Sequence, residues 1–470
     1  MKIGELIETK LDIEVTGICC NSAVAKPGDV FVAVSGFKTD GHKFAKDAED
    51  KGAVCVIAQH EIEGLKIPVI VVENTRVALA QIAHNFYNNP TQNFKLIGVT
   101  GTNGKTTVTY LVKAILEAAG EKVGLIGTNQ NMIGDVAYET DRTTPDSLEL
   151  VQLFSKMAEE KCTYVVMEVS SHSLELNRVH GCEFEVSAFT NLTQDHLDFH
   201  ITMENYLKAK AKLFKICNKA VINIDDDGGK KIAADVALSK VTYGTCDADI
   251  TATEIVLNPT GVEFDCLDTH FTLNIPGLFS VYNALASISI CTALGVDKEI
   301  IKNTLAKATG VKGRFEVYPT KDDYTVIIDY AHSPDGIKKI LETVKGFAKG
   351  RIVILFGCGG DRDKKKRPEM GRIASELADL VIVTCIITSD NPRSEEPAAI
   401  IRDILGGMKD ATADYVVIEN RENAIEYAIK NAQKDDVIIL AGKGHETYQI
   451  LNDKTIHFDE REILAKYLMG

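Results

Sequence analysis

The chain has 470 residues, of which 45% are apolar and 25% are charged, and its formal net charge is −15. This composition is typical of a folded globular protein and excludes a disordered or fibrous chain. The acidic balance argues against a nucleic-acid binder, which needs a basic face to neutralise phosphates, so any bound anion must be held by local positive groups.

At roughly 150 residues per domain, the length predicts about three domains. The sequence contains no run of 18 or more apolar residues, and residues 1–15 lack the charged-then-apolar pattern of a signal peptide. We therefore expect a cytoplasmic protein without membrane insertion. The 11 cysteines form no C-x-x-C pair, which argues against both a disulfide framework and a zinc site.

Residues 1–93 combine short apolar runs at 30–34 and 54–57 with a helical pattern over 76–87. Such a mixture predicts a small α/β domain. The segment 88–93, Asn-Asn-Pro-Thr-Gln-Asn, concentrates turn-forming residues around a proline. We interpret it as the hinge that ends this first domain.

The region 94–313 alternates apolar strands with helical segments, an order that predicts a parallel sheet with helices on its faces. The predicted strands are 95–100, 123–127 and 164–169, and the predicted helices are 106–119 and 147–159. Between residues 250 and 275 the apolar period changes to two around the turn at 258–261. This change predicts a β-hairpin that decorates the central domain.

In the region 314–470 the strand–helix alternation begins again, which predicts a second doubly wound, Rossmann-like domain. Its predicted strands are 326–329, 352–356, 380–384, 416–418 and 437–440. Ligands of such sheets bind at the loops that follow the carboxyl ends of the strands. The predicted fold class is therefore α/β with three domains, and the central one has a phosphate-loop type of parallel sheet.

A glycine-rich segment between the first predicted strand and helix of the central domain is typical of a phosphate-binding loop. It reads Gly101-Thr102-Asn103-Gly104-Lys105-Thr106-Thr107. In this context backbone N–H groups point at phosphate, the lysine reaches the terminal phosphates and the following threonine binds Mg²⁺. The strict motif begins with a glycine, where this chain has Val99, so a purely structural glycine turn is the alternative.

Oxygen and imidazole groups follow the next strands of the central sheet. Glu168 ends the strand at 164–169, and the segment 191–196, which contains His196, follows the next strand. Because the carboxyl ends of parallel strands meet at one edge of a sheet, these groups should lie near the phosphate loop. Glu168 is thus a candidate Mg²⁺ ligand, and a helix-capping or ion-pairing role is the alternative.

Lys210 differs from the other lysines of the helical segment 205–215, because it alone has apolar residues at all of the i±3 and i±4 positions. It is therefore predicted to face inward. Burial disfavours the charged ammonium, and a neutral amine can react with carbon dioxide to give a carbamate, which resembles a carboxylate ligand. The alternative is a lysine whose stem is buried and whose ammonium reaches solvent.

Together these segments resemble the Mur ligase family, and the resemblance runs along nearly the whole chain. Besides the phosphate loop it rests on eight further segments that occur in the family's order: Glu168-Val169-Ser170-Ser171-His172, residues 191–200, Tyr282-Asn283-Ala284, Gly313-Arg314, residues 329–334, residues 357–363, Asp390-Asn391-Pro392-Arg393 and Gly442-Lys443-Gly444-His445-Glu446.

The resemblance implies a monomeric three-domain ligase that uses ATP and Mg²⁺. Residues 1–93 would hold the UDP group, residues 94–313 would hold ATP, and residues 314–470 would hold the incoming amino acid. Within the family the chain is most similar to the ligase that adds meso-diaminopimelate to UDP-N-acetylmuramoyl-L-alanyl-D-glutamate in peptidoglycan precursor synthesis. In that reaction the substrate carboxylate is phosphorylated, and an amine then attacks the acyl phosphate.

The resemblance also implies roles for individual residues. The catalytic set would be Lys105, Glu168, His196 and a carbamylated Lys210, and the magnesium ligands Thr106, Glu168, His196 and Lys210. Nucleotide contacts would come from residues 101–107 with Asn283, Arg314, Asp329 and His332. Contacts to the UDP-muramoyl dipeptide would come from Ser22, Thr143, Thr144, Ser170 and Arg178, and contacts to diaminopimelate from Arg367, Asp390, Asn391, Arg393, Gly442 and Glu446.

Two positions depart from the family pattern. The uridine-binding segment usually reads Asp-Ser-Arg and here reads Asn21-Ser22-Ala23, so the contribution of an arginine is missing. Leu176 stands where some relatives have a glutamine near the dipeptide, which removes one possible hydrogen bond.

Three other functions share some of these features. A regulatory P-loop NTPase would share the phosphate loop but hydrolyse nucleotide without an amino acid. Folylpolyglutamate synthase and the lysine-adding ligase are closer alternatives that differ in the acceptor. The segments Thr143-Thr144-Pro145 and 390–393 argue against the folate enzyme.

Overall fold

The structure is a computed structural model, and it describes residues 1–36, 39–140, 142–258, 260–318, 320, 323–359, 363–383, 395–409, 413–451 and 454–468. The chain forms two compact units. The first contains residues 1–100, 120–187 and 209–219, and the second contains residues 101–119, 188–208 and 220–470.

The first half of the chain alternates short strands and helices. Its elements are α1 (Ile3–Leu6), β1 (Gly17–Cys19), β2 (Asp29–Val32), α2 (Ala45–Asp50), β3 (Cys55–Ala58), β4 (Val69–Val71), α3 (Thr75–Phe86), β5 (Lys95–Thr100), α4 (Lys105–Ala118), β6 (Val123–Ile126), β7 (Asn131–Ile133), β8 (Val136–Tyr138), α5 (Ser147–Glu159), β9 (Tyr164–Glu168), α6 (Ser171–Glu175), β10 (Phe184–Phe189), α7 (Leu197–His200), α8 (Met203–Ala211), β11 (Cys217–Asn223) and α9 (Asp227–Asp235).

The second half begins with short antiparallel strands and continues as a strand–helix alternation. Its elements are β12 (Ser239–Gly244), β13 (Ile250–Thr251), β14 (Thr253–Asn258), β15 (Gly261–Cys266), β16 (Thr269–Leu273), α10 (Leu278–Ala293), α11 (Lys298–Leu305), β17 (Glu316–Tyr318), β18 (Thr325–Asp329), α12 (Pro334–Lys345), β19 (Ile352–Phe356), α13 (Lys366–Leu377), β20 (Leu380–Val383), α14 (Pro397–Gly406), β21 (Asp414–Val417), α15 (Arg421–Lys430), β22 (Val437–Ala441), β23 (Tyr448–Leu451), β24 (Lys454–His457) and α16 (Glu460–Leu468).

The first unit contains two sets of parallel strands. Strands β1 to β4 pair in sequence order, and β9 lies between β5 and β6. Strands β7 and β8 extend the second set in antiparallel fashion. Helix α3 begins after Asn74, whose side-chain oxygen accepts hydrogen bonds from the backbone N–H groups of Arg76 and Val77, as a helix-capping residue does. The predicted strands and the helix of residues 1–93 are confirmed within a few residues.

The second unit contains the predicted hairpin as part of a larger antiparallel sheet. Strand β14 pairs with β15, and β15 pairs with β16, so three strands replace the two that a hairpin requires. The alternation of buried and exposed residues along β15 and β16 has the period of two expected for a sheet with one solvated face.

The six-stranded sheet of residues 316–441 has the order β17-β18-β22-β19-β20-β21, in which only β17 is antiparallel. Alternate residues of its strands pack on opposite faces. Ile327 packs in a buried cluster with Ile337 of α12, whereas its neighbour Ile328 packs with Ile425 of α15. Helices therefore cover both faces, and the predicted doubly wound architecture is confirmed. Across the described residues, no helix has the length and apolar character needed to cross a membrane.

Ile201 adopts a backbone conformation that branched residues rarely tolerate. It follows α7 with φ +70° and ψ −47°, and the N–H of Thr202 donates to the carbonyl of His200 at 2.8 Å. The side chain is 73% exposed, so packing does not compensate for the conformation. A β-branched residue at positive φ is a true outlier, with a conformational cost of roughly 1–3 kcal/mol.

We predict that Ile201→Gly raises the free energy of unfolding by about 1 kcal/mol, because relief of strain exceeds the extra chain entropy of glycine. Calorimetry should show a higher unfolding midpoint for this variant. Ile201→Val keeps the branched side chain, so its midpoint should match that of the original protein. A glycine variant that melts at a lower temperature would contradict the assignment of strain.

Candidate functional site

The loop between β5 and α4 requires glycine at two positions. Gly101 has φ +148° and Gly104 has φ +88°. A Cβ atom at Gly101 would lie 1.9 Å from the hydroxyl oxygen of Thr190, and one at Gly104 would lie 2.5 Å from Oδ1 of Asn283. These contacts are too close for any side chain, so the two glycines bring the loop backbone against its neighbours.

The residues that follow β10 fix this loop by hydrogen bonds. The N–H of Thr102 donates to the carbonyl of Asn191 at 2.8 Å, and the N–H of Asn103 donates to Oδ1 of Asn191 at 2.9 Å. The Asn103 carbonyl accepts from the Thr190 hydroxyl at 2.6 Å and from Nδ2 of Asn191 at 3.1 Å. The loop is therefore preformed, and Asn191, which was not among the predicted site residues, holds it.

Lys105 is the first residue of the 14-residue helix α4. Its ammonium donates to the carbonyls of Gly101 at 2.9 Å and Thr102 at 2.8 Å, so the side chain folds back over the loop. The first N–H groups of a helix lack intrahelical partners, and the helix dipole adds positive potential there. The lysine and the helix terminus together make this loop suited to bind a phosphate group.

A cavity of about 560 Å³ lies beside this loop in the second unit. Its volume is within the range of small-molecule sites. The lining includes every nucleotide contact that the resemblance predicts outside the loop, together with three of the loop residues and aromatic side chains: Asn103, Gly104, Thr107, Tyr282, Asn283, Arg314, Asp329, Tyr330 and His332. The structure thus brings together residues that are more than 200 positions apart in the sequence.

Arg314 connects the phosphate loop with the start of the six-stranded sheet. Its Nη2 donates to the hydroxyl of Thr106 at 3.1 Å, and its guanidinium carbon lies 4.4 Å from the ring centre of Tyr330. Asp329 accepts from the N–H groups of Phe315 at 2.6 Å and Ala331 at 2.7 Å. Burial raises the pKa of Asp329 above its usual range, and these hydrogen bonds and the charge of Arg314 oppose that rise.

Asp195 lies between two histidines of the second unit. Its Oδ2 is 3.5 Å from Nε2 of His196 and 3.9 Å from Nε2 of His332. Nδ1 of His332 donates to the Tyr330 carbonyl at 2.8 Å, which directs Nε2 toward the carboxylate. Burial opposes ionisation of Asp195, but the positive charges of His196, His332 and Lys366 outweigh it and hold the pKa below its usual range. Asp195 was not predicted individually, although its segment was.

Glu168 is buried at the end of β9, in the first unit. Its two carboxylate oxygens accept from the N–H of Thr128 at 2.8 Å and from the Thr128 hydroxyl at 2.9 Å. A Cβ atom at Gly127 would lie 2.6 Å from Oε1, so the preceding glycine allows this approach. Thr128 therefore orients the candidate metal ligand, and no motif in the sequence indicated its role.

The predicted dipeptide contacts lie together next to Glu168. The Thr144 hydroxyl donates to the Glu168 carbonyl at 2.8 Å and accepts from the N–H of Ser170 at 3.1 Å. The Thr143 hydroxyl is 3.0 Å from that of Thr128, and Nη1 of Arg178 donates to the Thr144 carbonyl at 2.9 Å. Burial lowers the pKa of Arg178 to about 10, and two neighbouring arginines add to this shift.

Lys210 lies on α8, and its side chain is only 1% exposed. Lys208, Lys212 and Lys215 of the same segment are exposed. The predicted inward orientation of Lys210 is confirmed, whereas its modification stays a prediction.

Thr106 and His196 belong to the second unit, and Glu168 and Lys210 belong to the first. Among the described residues no group of three or more His, Cys, Asp or Glu side chains forms a metal site by itself, so the metal set also stays a prediction.

The remaining predicted contacts lie in several places. Ser22 is buried and accepts from Nζ of Lys51 through its carbonyl at 2.8 Å. The N–H of Gly442 donates to the carbonyl of Asp329 at 2.9 Å. Glu446 is buried with Nζ of Lys443 at 3.5 Å from its Oε2. Asp390, Asn391 and Arg393 lie outside the described residues.

Arg367 is fully buried, and both of its terminal nitrogens are engaged by protein groups. Nη1 donates to Glu395 at 2.9 Å and to Asp403 at 2.8 Å, and Nη2 donates to Glu395 at 3.1 Å and to the Gly359 carbonyl at 3.0 Å. All four N–H groups of these nitrogens are used. Arg367 is therefore part of an ion-pair network, and its role as a contact to diaminopimelate stays a prediction.

Three family models match the chain in succession. The model described as "Mur ligase family, catalytic domain" matches residues 14–87. The model described as "Mur ligase middle domain" matches residues 99–291, and the one described as "Mur ligase, glutamate ligase domain" matches residues 313–444.

Relatives are similar over almost the full length of the chain. UDP-N-acetylmuramoyl-L-alanyl-D-glutamate--2,6-diaminopimelate ligase of Caldanaerobacter subterraneus is 53% identical, with 97% of this chain and 95% of the relative covered. Ligase 1 of the same name from Clostridium acetobutylicum is 50% identical, with 99% and 97% covered. A solved structure of a ligase of that name is 30% identical with a TM-score of 0.69 and covers 100% of this chain and 99% of its own.

Gly101→Ala is predicted to weaken the binding of magnesium ADP by about tenfold or more, a loss of roughly 1.4 kcal/mol. The added Cβ would overlap the Thr190 hydroxyl and force the loop away from its hydrogen-bond partners. Gly120→Ala is the matched control, because Gly120 also has positive φ but a Cβ there meets nothing within 4 Å. Calorimetric titration should show weaker binding of magnesium ADP by Gly101→Ala and unchanged binding by Gly120→Ala. If the two variants bind magnesium ADP equally well, the close approach at Gly101 does not shape the loop.

Proposed function

The chain belongs to the Mur ligase family, and on that premise we propose that it is an ATP-dependent amide ligase. It adds meso-2,6-diaminopimelate to UDP-N-acetylmuramoyl-L-alanyl-D-glutamate, with release of ADP, in peptidoglycan precursor biosynthesis. The observation that carries this proposal is the 53% identity, over 97% of the chain, to a ligase with that name. We further propose that the protein acts as a monomer in the cytoplasm.

In the proposed reaction, a carboxylate oxygen of the D-glutamyl residue takes the terminal phosphoryl group of ATP, and ADP leaves. The amine of diaminopimelate then attacks the acyl carbon, loses a proton, and phosphate leaves. The preformed loop supports this chemistry because Lys105 and the start of α4 place positive charge where phosphoryl oxygens bind. Arg314, which lines the cavity beside this loop, adds a third positive group.

The side chains of the site are chemically suited to Mg²⁺, which prefers oxygen ligands. Glu168 is buried and anchored at both oxygens by Thr128, as expected for a carboxylate that binds a cation. We propose that Glu168, Thr106, His196 and a carbamylated Lys210 hold the metal. When bound, the metal neutralises the charge of the phosphates.

We propose that substrate binding is divided among three domains, residues 1–93 for the UDP group, 94–313 for ATP and 314–470 for diaminopimelate. The muramoyl dipeptide would meet Thr143, Thr144, Ser170 and Arg178. The hydrogen bonds of Ser170 and Arg178 to Thr144 support a common role. Ser22 would contact the uridine.

For diaminopimelate we propose Gly442, Glu446, Asp390, Asn391 and Arg393 as direct contacts. We propose Arg367 as a further contact of this set. Its Nη atoms bind Glu395, whereas its buried Nε has no hydrogen-bond partner among the described residues.

One assay tests the proposed function against its alternatives. ADP release is measured with the UDP-muramoyl dipeptide and a panel of amino acids that includes meso-diaminopimelate, lysine and glutamate. The proposal requires release that depends on both the dipeptide and meso-diaminopimelate. Release without any amino acid would indicate a nucleotide switch or motor, and release with glutamate and a folate would indicate a folylpolyglutamate synthase.

Lys105→Ala should lower kcat by about 10²-fold or more, because an electrostatic contact to the transferring phosphoryl group is lost. Steady-state kinetics measure the effect. Lys208→Ala is the control, since Lys208 is exposed and forms an ion pair with Glu204 on the helix surface. A fully active Lys105→Ala enzyme would remove the phosphate loop from the mechanism.

Lys210→Ala should fold normally and lose most activity, because the side chain is buried and is proposed to carry a metal-binding carbamate. Carbon-13 NMR of enzyme prepared in labelled bicarbonate should show a carbamate signal that Lys210→Ala lacks and Lys208→Ala retains. Lys210→Glu, which restores a carboxylate, should recover more activity than Lys210→Ala. An active enzyme without the carbamate signal would refute the modification.

The acceptor preference depends on the second carboxylate that diaminopimelate has and lysine lacks. We propose that Arg393 binds it with two parallel hydrogen bonds. Lysine would leave this guanidinium unpaired, at a cost of roughly 2–5 kcal/mol. Competition assays should show strong preference for meso-diaminopimelate. Arg393→Ala should raise the KM for meso-diaminopimelate more than the KM for ATP. Equal use of both amino acids by the unmodified enzyme would exclude this assignment.

A further inference from the structure

The loop that follows β22, residues 442–446, contains two glycines in the left-handed region of backbone space. Gly442 has φ +111° and Gly444 has φ +55°. Glycine loses more backbone freedom than any other residue when it is ordered. This segment, which we call the β22 loop, therefore needs contacts from outside itself to stay in one conformation.

One guanidinium group supplies such contacts. Nη1 and Nη2 of Arg461, in the first turn of α16, each donate to the Gly444 carbonyl at 3.2 Å. Nε donates to Oε1 of Glu316 at 2.9 Å, Nη2 donates to Oε2 of Glu316, and Nη1 donates to Oδ1 of Asp459 at 3.2 Å. Every N–H of the guanidinium is thus used, in a planar arrangement that a lysine ammonium cannot reproduce.

The carboxylate that binds Arg461 also holds the turn before β17. Oε2 of Glu316 accepts from the N–H of Gly313 at 2.6 Å. Gly313 has φ +73°, and a Cβ atom there would lie 2.1 Å from the backbone nitrogen of His445. The turn and the β22 loop are therefore in direct backbone contact, where no side chain fits between them, and Arg461 joins the two through polar groups.

Helix α16 gives Arg461 a fixed base. Ile463 and Leu464 of this helix are buried and pack in one apolar cluster with Ile425 of α15. Oδ1 of Asp459 accepts from the backbone N–H of Arg461 at 3.0 Å, as a helix cap does. A side chain that starts from a packed helix and has all its donors engaged can fix a loop precisely.

We propose that Arg461 is a positioning residue for the amino acid that takes part in the reaction. It acts through the Gly444 carbonyl and holds the β22 loop in the conformation in which Gly442 and Glu446 contact that amino acid. The inference rests on the proposed function, which assigns those two contacts. A loop that is ordered before the amino acid arrives binds it without a further cost in chain entropy.

A purely structural ion pair that fastens α16 to its domain is the alternative, and Arg351 offers a matched control. Its Nε and Nη2 donate to Asp436 at 3.2 and 2.7 Å, and Nη2 also donates to the Asn431 carbonyl at 3.0 Å. Arg351 and Asp436 precede the parallel strands β19 and β22, so they lie at the edge of the sheet opposite to the β22 loop. Arg351→Met therefore removes a similar set of bonds without releasing the loop.

The experiment combines hydrogen exchange with steady-state kinetics. Mass spectrometry follows exchange of the amides of residues 442–446, among which the N–H of Gly442 donates to the Asp329 carbonyl and the N–H of Glu446 to the Lys443 carbonyl. Kinetics give KM for meso-diaminopimelate, ATP and the UDP-muramoyl dipeptide, and melting temperatures confirm that each variant is folded.

Arg461→Met should speed exchange in the β22 loop and raise KM for meso-diaminopimelate about tenfold or more, with little change in KM for the other two substrates. Arg461→Lys keeps the charge but loses the fork, so its KM for meso-diaminopimelate should lie between those of Arg461→Met and the original protein. Arg351→Met should leave both the exchange of the loop and the KM for meso-diaminopimelate unchanged.

Glu316→Gln tests the same contact without removing the arginine. The amide oxygen can still accept from Gly313, but the ion pair to Arg461 is lost, so KM for meso-diaminopimelate should rise. Because Glu316 acts through Arg461, the double variant with Arg461→Met should raise this KM no further than Arg461→Met does alone. This variant also decides the question if Arg461→Met does not fold.

Unchanged exchange of the loop in Arg461→Met and Glu316→Gln would overturn the proposal. So would faster exchange with an unchanged KM for meso-diaminopimelate, or an equal rise in KM for all three substrates, which a structural role predicts. If the unmodified protein releases no ADP in response to meso-diaminopimelate, the proposed function fails. The exchange measurement needs no turnover, and in that case it still shows whether Arg461 orders the loop.

Discussion

The hydrogen bonds between the phosphate loop and the residues after β10 are the constraint on which the rest of the site depends. A glycine-rich loop alone is flexible, and its N–H groups would have to be ordered each time a phosphate bound. Here Thr190 and Asn191 already hold both the donor and the acceptor groups of Asn103. The loop is therefore organised before the ligand arrives, and the first turn of α4 and the wall of the cavity take their positions from it.

Patterns that depend on one segment were predicted well from the sequence. The strand–helix alternation gives the parallel sheets because buried strands and amphipathic helices have different apolar periods. The inward orientation of Lys210 follows from its neighbours at i±3 and i±4 and agrees with its burial. The hairpin near residue 260 was predicted as two strands, since a period of two does not reveal a third partner.

Contacts between distant segments were not predictable in the same way. Thr128 follows a short strand like many other threonines, and only the fold brings its N–H and hydroxyl to Glu168, 40 positions later. Arg367 belongs to the set implied by the resemblance, but the engagement of its two terminal nitrogens by Glu395 and Asp403 depends on residues 28 and 36 positions away. Tertiary partners decide whether an arginine binds a ligand or a neighbouring acid.

The hydrogen bonds of Lys105 explain how its ammonium can leave two backbone carbonyls of the loop for a phosphate group. Its ammonium donates to two neutral carbonyls, whereas a phosphate would offer charged oxygens and thus add the attraction between opposite charges to the hydrogen bonds. The exchange is favourable only if the loop keeps its shape when the lysine leaves. Asn103 secures this shape from the opposite side, because its Nδ2 donates at 2.8 Å to Asp335 in the first turn of α12. The same residue thus takes part in both the phosphate loop and the first turn of α12, so the loop is held from the residues after β10 and from the six-stranded sheet region.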